Sequence, residues 1–423
     1  MTDTAKILPK LRFPEFENDG EWEMQALGNC LLQAPDYGLN APAVPYSPSL
    51  PTYLRITDID DNGRFITDKK MSVDAEITEK NSLKAGDIVF ARTGASVGKV
   101  YKYRVEDGSL IFAGFLIRVR PDNSKYCSDY IFQYLFTEAY KRWINITSSR
   151  SGQPGINSNE YASLPIPFPS LPEQQKIAAF LTSLDEQISA HTKKLEALKA
   201  HKKGLMQQLF PANGEKTPKL RFPEFENNGE WKIQTLGNCL LQAPDYGLNA
   251  PAVPYSPVLP TYLRITDIDD NGCFISNKKT SVDAEITDKN LLKAGDIVFA
   301  RTGASVGKVY KYRAEDGALI FAGFLIRVRP DNSKYCSDYI FQYLFTEEYK
   351  RWINITSSRS GQPGINSNEY ASLPIPFPSL PEQQKIASFL SSIDDMIQAQ
   401  DDKIRNLKIY KNGLMQQIFI KTQ

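Results

Sequence analysis

Apolar positions along the chain follow two periods, and each period predicts a different kind of element. Short apolar runs at 52–56 and 87–90 are bounded by turn signals such as 61–63, and residues 111–120 form another run of strand type. Helical spacing follows over 126–146, where large side chains recur on one face. These patterns predict an α/β (mixed α+β) globular part, but they do not specify its strand order.

A different apolar pattern begins after residue 170. Residues 170–173 form a capping-box sequence with proline in the first turn, which predicts a helix start. Apolar residues then recur at alternating steps of four and three through about four heptads, a spacing typical of coiled coils. The predicted helix is about 35–40 residues long, or about 55 Å. The alternative, in which this helix packs only on its own globular domain, stays open.

The predicted coiled-coil seam occurs twice in the chain. Its members are Ile177, Leu181, Leu184, Ile188, Leu195, Leu198, Leu205 and Leu209 in the first helix, and Ile386, Leu390, Ile393, Ile397, Ile404, Leu407, Leu414 and Ile418 in the second. Polar residues interrupt both seams, at His191 and Lys202 and at Gln400 and Lys411. Such residues cost stability but can fix register and partner. We expect the two helices to pair with each other as an antiparallel coiled coil.

The whole chain is a tandem duplication. Residues 9–210 align without a gap on residues 218–419, with a constant offset of 209. Over 9–178 the copies differ at 14 of 170 positions, whereas the next 32 positions contain 16 differences. A period this long exceeds that of solenoid repeats, so each copy is a whole domain followed by a divergent helix.

The duplication predicts the domain organisation. We expect two near-identical globular domains at 1–170 and 218–379, long helices at 171–210 and 380–423, and a short linker at 211–217. The linker is polar and contains helix-breaking residues. Antiparallel pairing of the helices would relate the two domains by a pseudo-twofold axis.

Composition limits the function classes. The chain of 423 residues is 41% hydrophobic and 23% charged, which is typical of globular proteins. Its 50 Lys and Arg against 49 Asp and Glu leave a net charge of +1, so any nucleic-acid binding depends on local patches. No apolar run is long enough for a membrane span, and residues 1–6 lack a signal-peptide pattern. The five cysteines include no CxxC pair. We therefore expect a cytoplasmic protein with reduced thiols and no membrane partner.

The sequence lacks the residues that several kinds of catalysis require. The only histidines, His191 and His201, lie in the first predicted long helix, so neither globular domain can form a His-based triad or a His-rich zinc site. Residues 94–100 resemble a phosphate loop, but only three residues separate the glycines and Val100 stands where the magnesium-binding Ser or Thr belongs. The Asn/Asp-Pro-Pro-aromatic tetrad typical of adenine methyltransferases does not occur either. We predict a non-catalytic protein that needs no cofactor and no metal.

Two polar loops in each copy are candidate binding surfaces. The first, residues 90–99 with the two cations after it, leaves a predicted strand and carries four cations within 13 residues. Arginine suits bidentate contact with guanine or phosphate, and lysine suits phosphate. The second loop, residues 147–157, is rich in short hydrogen-bonding side chains, and its Gln and Asn are suited to reading adenine. For both loops, the alternative of an ordinary surface turn stays open.

The predicted DNA-binding residues are equivalent in the two copies. In the first copy they are Tyr37, Arg92, Thr93, Lys99, Lys102, Arg104, Ser148, Ser149, Arg150, Gln153 and Asn157. In the second copy they are Tyr246, Arg301, Thr302, Lys308, Lys311, Arg313, Ser357, Ser358, Arg359, Gln362 and Asn366. The tyrosines belong to a weaker candidate loop that precedes a proline-rich stretch.

Three motifs, each present in both copies, give the chain its family resemblance. They are residues 53–59, residues 85–94 with Gly98 and Lys99, and residues 164–169 running into 171–177. Together they resemble specificity subunits of type I restriction–modification systems, and the order domain, helix, domain, helix matches as well. The resemblance covers essentially the whole chain.

The resemblance implies a function. Each globular part would be a target-recognition domain that reads one half of a bipartite DNA site. The helices would set the spacer and dock DNA methyltransferase (modification) subunits, two of them. Methylation and cleavage would belong to partner subunits, with a restriction or translocase subunit as an optional further partner on the double-stranded DNA.

The near-identity of the copies predicts a near-palindromic target, because the same surface would read both half-sites. Among the differences, Arg64 against Cys273 is the one that we expect to break this symmetry, since it removes a cation beside a turn. The competing hypothesis is a bivalent protein–protein scaffold with two identical peptide-binding domains.

Overall fold

The computed structural model describes residues 7–149, 153–358 and 362–420. It divides into two compact units, Met1–Thr192 with Asp402–Gln423, and Lys193–Asp401. Each unit contains one globular module together with part of each long helix. We call residues 7–170 module 1 and residues 218–379 module 2.

The described residues of module 1 form ten strands in three sheets. The strands are β1 (Glu23–Ala26), β2 (Asp36–Tyr37), β3 (Ala43–Pro45), β4 (Thr52–Leu54), β5 (Met71–Val73), β6 (Ile88–Ala91), β7 (Val100–Lys102), β8 (Leu110–Phe112), β9 (Leu116–Val119) and β10 (Pro165–Phe168). An antiparallel sheet has the order β2-β9-β6-β7, a second sheet has the order β3-β5-β4-β8, and β1 pairs with β10. In the second sheet, β4 and β8 are parallel.

Four α-helices complete the described part of the first copy. They are α1 (Ser128–Tyr134), α2 (Glu138–Ser148), α3 (Ser158–Ala162) and the long α4 (Leu171–Leu209). The long helix begins where the capping-box sequence predicts it. Its acidic residue Glu173 is fully buried and accepts two hydrogen bonds from Arg12, at 2.8 and 2.6 Å.

The second copy repeats these elements. Its strands are β11 (Lys232–Thr235), β12 (Asp245–Tyr246), β13 (Ala252–Pro254), β14 (Thr261–Leu263), β15 (Thr280–Val282), β16 (Ile297–Ala300), β17 (Val309–Lys311), β18 (Leu319–Phe321), β19 (Leu325–Val328) and β20 (Pro374–Phe377). Its helices are α5 (Ser337–Tyr343), α6 (Glu347–Ser357), α7 (Ser367–Ala371) and α8 (Leu380–Ile418). The sheets have the same strand orders as in module 1.

Two elements predicted as continuous are divided. The apolar run 111–120 becomes β8 and β9, because a turn closed by Leu116 N–H on Ala113 O at 2.8 Å sends the chain from one sheet to another. The helical stretch 126–146 becomes α1 and α2, because Thr137 caps α2 by accepting a hydrogen bond from Tyr140 N–H. Apolar residues continue through both breaks in the sequence, so apolar spacing reveals neither of them.

The core lies on both faces of the antiparallel sheet. Ile88, Phe90 and Ile117 belong to a cluster that includes residues of α1, α2 and the long helices, whereas the alternate residues Val89 and Leu116 join a cluster with the second sheet. Successive strand residues point to opposite faces, so a sheet covered on both sides needs a continuous apolar run. This explains why β6 is buried along its whole length.

The antiparallel pairing of the two long helices is confirmed within each unit. In the first unit Lys411 of α8 contacts both carboxylate oxygens of Asp185 in α4, at 2.6 and 2.7 Å. The end of α8, at Ile418, shares a core with the start of α4, at Ile177. In the second unit the equivalent pair is Lys202 of α4 with Asp394 of α8, at 2.6 and 2.7 Å.

The long helices also pack on the modules. Gln133 of α1 donates a hydrogen bond to Asp185 at 2.9 Å, and Gln342 of α5 donates to Asp394 at 2.8 Å. The start of α4 therefore contacts module 1, and its end shares the core of module 2 through Met206 and Leu209. The prediction that the helices pair is thus confirmed, and the paired helices also pack on the modules. No helix among the described residues is long and apolar enough to cross a bilayer.

Candidate nucleic-acid interface

The first candidate loop begins at the carboxyl end of β6. Arg92 follows the last strand residue, its N–H donates to Phe115 O at 3.1 Å, and its carbonyl accepts from Ile156 N–H at 2.9 Å. Gly94 and Gly98 have φ values of +70° and +85°. A Cβ at Gly98 would also lie 2.9 Å from Ile144. Backbone conformation and packing thus explain these glycines without any close approach of a ligand.

The structure brings the two candidate loops together. Thr93 and Gly155 form an antiparallel β-bridge, and Gly94 N–H donates to Pro154 O at 3.0 Å. Thr302 and Gly364 form the same bridge in module 2. The sequence predicts each loop separately, but it contains no signal that pairs residues some sixty positions apart.

A tyrosine of the weaker candidate loop completes this surface. The Arg92 guanidinium lies 4.9 Å from the centre of the Tyr37 ring. The Tyr37 hydroxyl accepts a hydrogen bond from Ser158 N–H at 3.2 Å. Hydrogen bonding to Ser158 lowers the pKa of Tyr37 from its ordinary value, and the positive charge of Arg92 adds to this effect. The stack fixes the direction of the arginine without neutralising it.

Module 2 repeats this arrangement. Arg301 lies 4.9 Å from the Tyr246 ring, whose hydroxyl accepts from Ser367 N–H at 3.1 Å. The same hydrogen bond lowers the pKa of Tyr246. Within the described ranges, neither Arg92 nor Arg301 has a carboxylate at ion-pair distance, and the buried Nε of Arg301 finds no acceptor. We call each tyrosine–arginine pair, with its two bridged loops, the Arg–Tyr site.

The other predicted cations of module 1 have protein partners. Lys99 pairs with Asp61 at 2.7 Å, and Lys102 pairs with Asp129 at 2.9 Å with its side chain only 16% exposed. Lys102 is paired with Ile88 of β6. Ile88 precedes Arg92 by four residues, so Lys102 lies about 13 Å along the strand from Arg92. Arg104 lies 5.9 Å from the Phe132 ring. The basic cluster suggested by sequence spacing is thus distributed over two ends of the sheet.

Module 2 distributes its cations in the same way, with one difference. Lys308 pairs with Asp270 and Lys311 with Asp338, both at 2.7 Å. Arg313 contacts Cys273 Sγ at 3.1 Å, at the position where module 1 has Arg64. Burial raises the pKa of Cys273, although Arg313 opposes this effect.

The polar residues of the second loop have different environments. Ser148 and Ser357 are buried at the ends of α2 and α6. The hydroxyls of Ser149 and Ser358 donate to carbonyls of their own helices, at 2.5 and 2.6 Å. Arg150 and Arg359 lie outside the described residues. These serines therefore support the loop structure, and their predicted DNA contacts stay predictions.

Gln153 and Asn157 both lie beside the Arg–Tyr site. The Asn157 side chain caps a helix, whereas the Gln153 side chain does not. Gln153 is exposed, with Nε2 near Gly94, and Gln362 lies in the same way near Gly303. The Asn157 side chain caps α3 by accepting from Glu160 N–H at 2.9 Å. Asn366 caps α7 equivalently, accepting from Glu369 N–H. The sequence could have revealed this, because Asn-x-x-Glu before a helix is a capping box.

Sequence reasoning missed an exposed aromatic residue at this site. Phe115 is 58% exposed, and its counterpart Phe324 is 59% exposed. Phe115 lies opposite Arg92 at the start of β9, one pair beyond the Ala91–Leu116 register. Because the apolar run 111–120 predicts a single buried strand, Phe115 did not stand out. The glycine before it was the one available signal of a turn.

Arg64 lies away from the Arg–Tyr site. Its guanidinium donates to Ser189 Oγ of α4 at 2.5 Å and approaches Asp185 O at 3.4 Å. This residue connects module 1 to the long helix, a contact that module 2 lacks at Cys273. The idea that this difference breaks the symmetry of the target stays a prediction, with no support from the placement of Arg64.

Comparisons with known proteins identify the family. The profile of the type I restriction modification DNA specificity domain matches residues 52–200 and 206–408. The MjaVIII specificity subunit of a type I restriction enzyme from Methanocaldococcus jannaschii is 23% identical over 428 residues, covering 98% of this chain and 94% of that protein. The StySPI specificity subunit from Salmonella potsdam is 27% identical over 378 residues, covering 85% and 79%.

Solved structures show the same fold. The crystal structure of the S subunit of a type I restriction–modification system from M. genitalium has a TM-score of 0.64 at 15% identity, covering 98% of this chain and all of that chain. These findings give no support to the scaffold hypothesis. The chain belongs to the family of type I restriction–modification DNA specificity subunits.

Proposed function

We propose that this chain is the non-catalytic, DNA-reading subunit of a type I modification complex, and that its two modules read inverted copies of one short sequence. The observation that carries the proposal is the repetition of the Arg–Tyr site. Every predicted DNA-binding residue is identical in the two copies, and the arginine–tyrosine distance is 4.9 Å in both modules. Two equal surfaces read equal half-sites, so the target is a near-palindrome interrupted by a spacer.

The exchange of helix contacts supports half-sites of opposite direction in the target. In one unit Asp185 of α4 meets Lys411 of α8, and in the other Asp394 of α8 meets Lys202 of α4. The two contacts are therefore equivalent, except that α4 supplies the aspartate in the first unit and the lysine in the second. In dimeric DNA readers, such reciprocity accompanies two half-sites of opposite direction.

Partner subunits supply the chemistry and much of the phosphate contact in this proposal. With a net charge of +1, the chain alone binds DNA weakly and in a salt-dependent way. The related systems are named as restriction enzymes, and we infer that methyltransferase subunits dock on this chain. Co-purification with a methyltransferase subunit, followed by a gel shift on DNA carrying the modified motif, tests this. Tight, salt-insensitive DNA binding by the isolated chain would contradict it.

The long helices act as the ruler that sets the spacer. Removal of residues 189–195 and 398–404, one equivalent heptad from each helix, shortens the pair by about 10 Å. The spacer of the modified motif should then shorten by about three base pairs, at about 3.4 Å per step. Removal of a heptad from α4 alone is the control, because it breaks the pairing and should abolish modification. An unchanged spacer after the matched deletion would refute the ruler.

A further inference from the structure

A phenylalanine beside each Arg–Tyr site is exposed on the protein surface. Phe115 is 58% exposed, whereas its turn neighbours Ala113 and Leu116 are 6% and 0% exposed. Within the described part of the chain, its ring makes no contact with another aromatic ring. A single exposed apolar side chain is ordinary on a protein surface, so what singles out Phe115 is its place beside the Arg–Tyr site.

The backbone around this ring is held rigidly. Gly38 N–H donates to Leu116 O, Gly114 N–H donates to Leu39 O at 2.7 Å, and Arg92 N–H donates to Phe115 O. A Cβ at Gly38 would lie 2.3 Å from the carbonyl oxygen of Ala113, so only glycine permits β2 to approach the turn this closely. The ring is thus presented on a preorganised support, which reduces the entropy lost on binding.

The ring shares its sheet face with the charged part of the Arg–Tyr site. Arg92 follows Ala91 and Phe115 precedes Leu116. Because Ala91 and Leu116 are paired in an antiparallel ladder, Arg92 and Phe115 lie directly opposite each other on adjacent strands. Cβ atoms of such pairs are about 4.5–5.5 Å apart. In DNA, a phosphate or a base edge lies beside the apolar face of a stacked base. The Arg92 guanidinium can bind the phosphate or base edge, and the Phe115 ring at this separation can contact the base face.

We propose that Phe115 and Phe324 are wedges that stack into a base step of each half-site, adjoining the contact made by Arg92 and Arg301. The proposal rests on the function proposed above and adds a specific means of reading. Apolar side chains that enter a base step unstack it, and the cost of unstacking depends on the sequence. Each module therefore reads one step through its deformability as well as through hydrogen bonds.

The test uses the complete methyltransferase complex and duplexes of the modified motif with 2-aminopurine placed at successive steps of one half-site. The complex should increase fluorescence at one step, because that base loses its stacking. Phe115→Ala with Phe324→Ala should abolish the increase and weaken specific binding by about ten-fold or more per ring, while non-specific binding is unchanged. Phe115→Trp with Phe324→Trp should restore both signals.

Leu32 and Leu241 provide the matched control. They are 63% and 64% exposed. Each follows a residue bridged to the far end of β9 or β19 (Leu31 to Pro121, Leu240 to Pro330), about 20 Å along the strand from the phenylalanine. Leu32→Ala with Leu241→Ala should leave both signals unchanged.

The outcomes separate this proposal from the function on which it depends. If the unaltered complex does not bind the motif, the proposed function fails. If it binds normally and the alanine variants keep the fluorescence change and the affinity, only the wedge fails. If the alanine variants lose the methyltransferase subunit during purification, the rings contact protein and the wedge is wrong.

Discussion

The two copies differ least at the Arg–Tyr site and most in the long helices. None of the 14 differences over residues 9–178 falls on a predicted DNA-binding residue, whereas half of the next 32 positions differ. The contact between module and helix has changed as well. Arg64 binds Ser189 in the first unit, and in the second Cys273 borders a groove of about 590 Å³ lined also by Arg313 and Asp394. Two candidate surfaces of identical sequence are thus attached to long helices of different sequence.

This contrast indicates where each kind of specificity resides. In the function that we propose, the modules determine which bases are read, and their near-identity makes the half-sites alike. The helices must recognise each other rather than a second copy of themselves, so their sequences differ. Substitutions at the Arg–Tyr sites of the modules should change recognition of the motif. Substitutions in the long helices should change stability or assembly.

Removal of the stacked arginines should have the largest effect. Arg92→Ala with Arg301→Ala removes one bidentate donor from each half-site, at a cost of about 1–3 kcal/mol each. Sequence-specific modification by the complex should fall about 100-fold or more with the fold intact. Each single variant should lose about half as much binding free energy as the double variant, about 1–3 kcal/mol, which a gel shift on the modified motif can measure. Lys102→Ala with Lys311→Ala, at ion-paired positions, is the control; normal modification by the arginine variant would remove these residues from the site.

Loss of a helix lysine should have an intermediate effect on stability. In Lys411→Met, Asp185 keeps only its hydrogen bond from Gln133, so the first unit should lose about 1–2 kcal/mol, or about 2–8 °C in Tm. Lys202→Met should do the same in the second unit. Leucine at both 185 and 411 should recover part of the loss, because it removes the unpaired charge. Unchanged melting of the single variants would show that these pairs contribute nothing to the helix contact.

Exchange of the unequal residue should have a smaller effect. Arg64→Cys gives module 1 the residue of module 2 and removes the hydrogen bond to Ser189, so the first unit should lose about 0.5–1.5 kcal/mol. The modified motif should not change, since Arg64 lies against α4. Asp68→Asn, another difference between the modules, is the control. A change of one half-site in Arg64→Cys would place this residue in DNA recognition after all.

The buried thiols offer the most sensitive test that the units are alike. Burial raises the pKa of Cys30 and of Cys239 to about 12, so both remain protonated in the folded state well above pH 9. Because the unfolded thiols ionise first, each unit should lose stability as pH rises from about 9 towards 12. At pH 8 both thiols of the native chain should react slowly with an alkylating reagent, and the two rates should be nearly equal. Rapid alkylation of either one would show that its unit opens.

Sequence reasoning predicted the long elements and the repetition better than it predicted the site. Heptad spacing gave the two helices, and the constant offset gave the two modules, because both signals extend over many residues. The turn at Ala113 and the cap at Thr137 each depend on one or two hydrogen bonds within an apolar stretch, so no periodicity marks them.

The site itself was predicted in part. Arg92 and Gln153 belong to loops that sequence identifies, but their meeting depends on the Thr93–Gly155 bridge. Lys99 and Lys102 were grouped with Arg92 by spacing alone. Lys99 lies beside Ala91, whose N–H donates to Lys99 O at 2.8 Å, but its side chain pairs with Asp61. Lys102 lies opposite Ile88, about 13 Å along the strand from Arg92. Burial and partner charges, which decide which cations are available, are properties of the folded chain.

The symmetry of the modified motif tests the central claim most directly. Long-read methylation sequencing of a host that expresses the chain with its methyltransferase subunit reports both halves of the motif and the spacer at once. We expect two half-sites that are reverse complements of each other, with one modified adenine in each at equivalent positions. A motif whose halves are unrelated in sequence would contradict the claim that two equal modules read equal DNA.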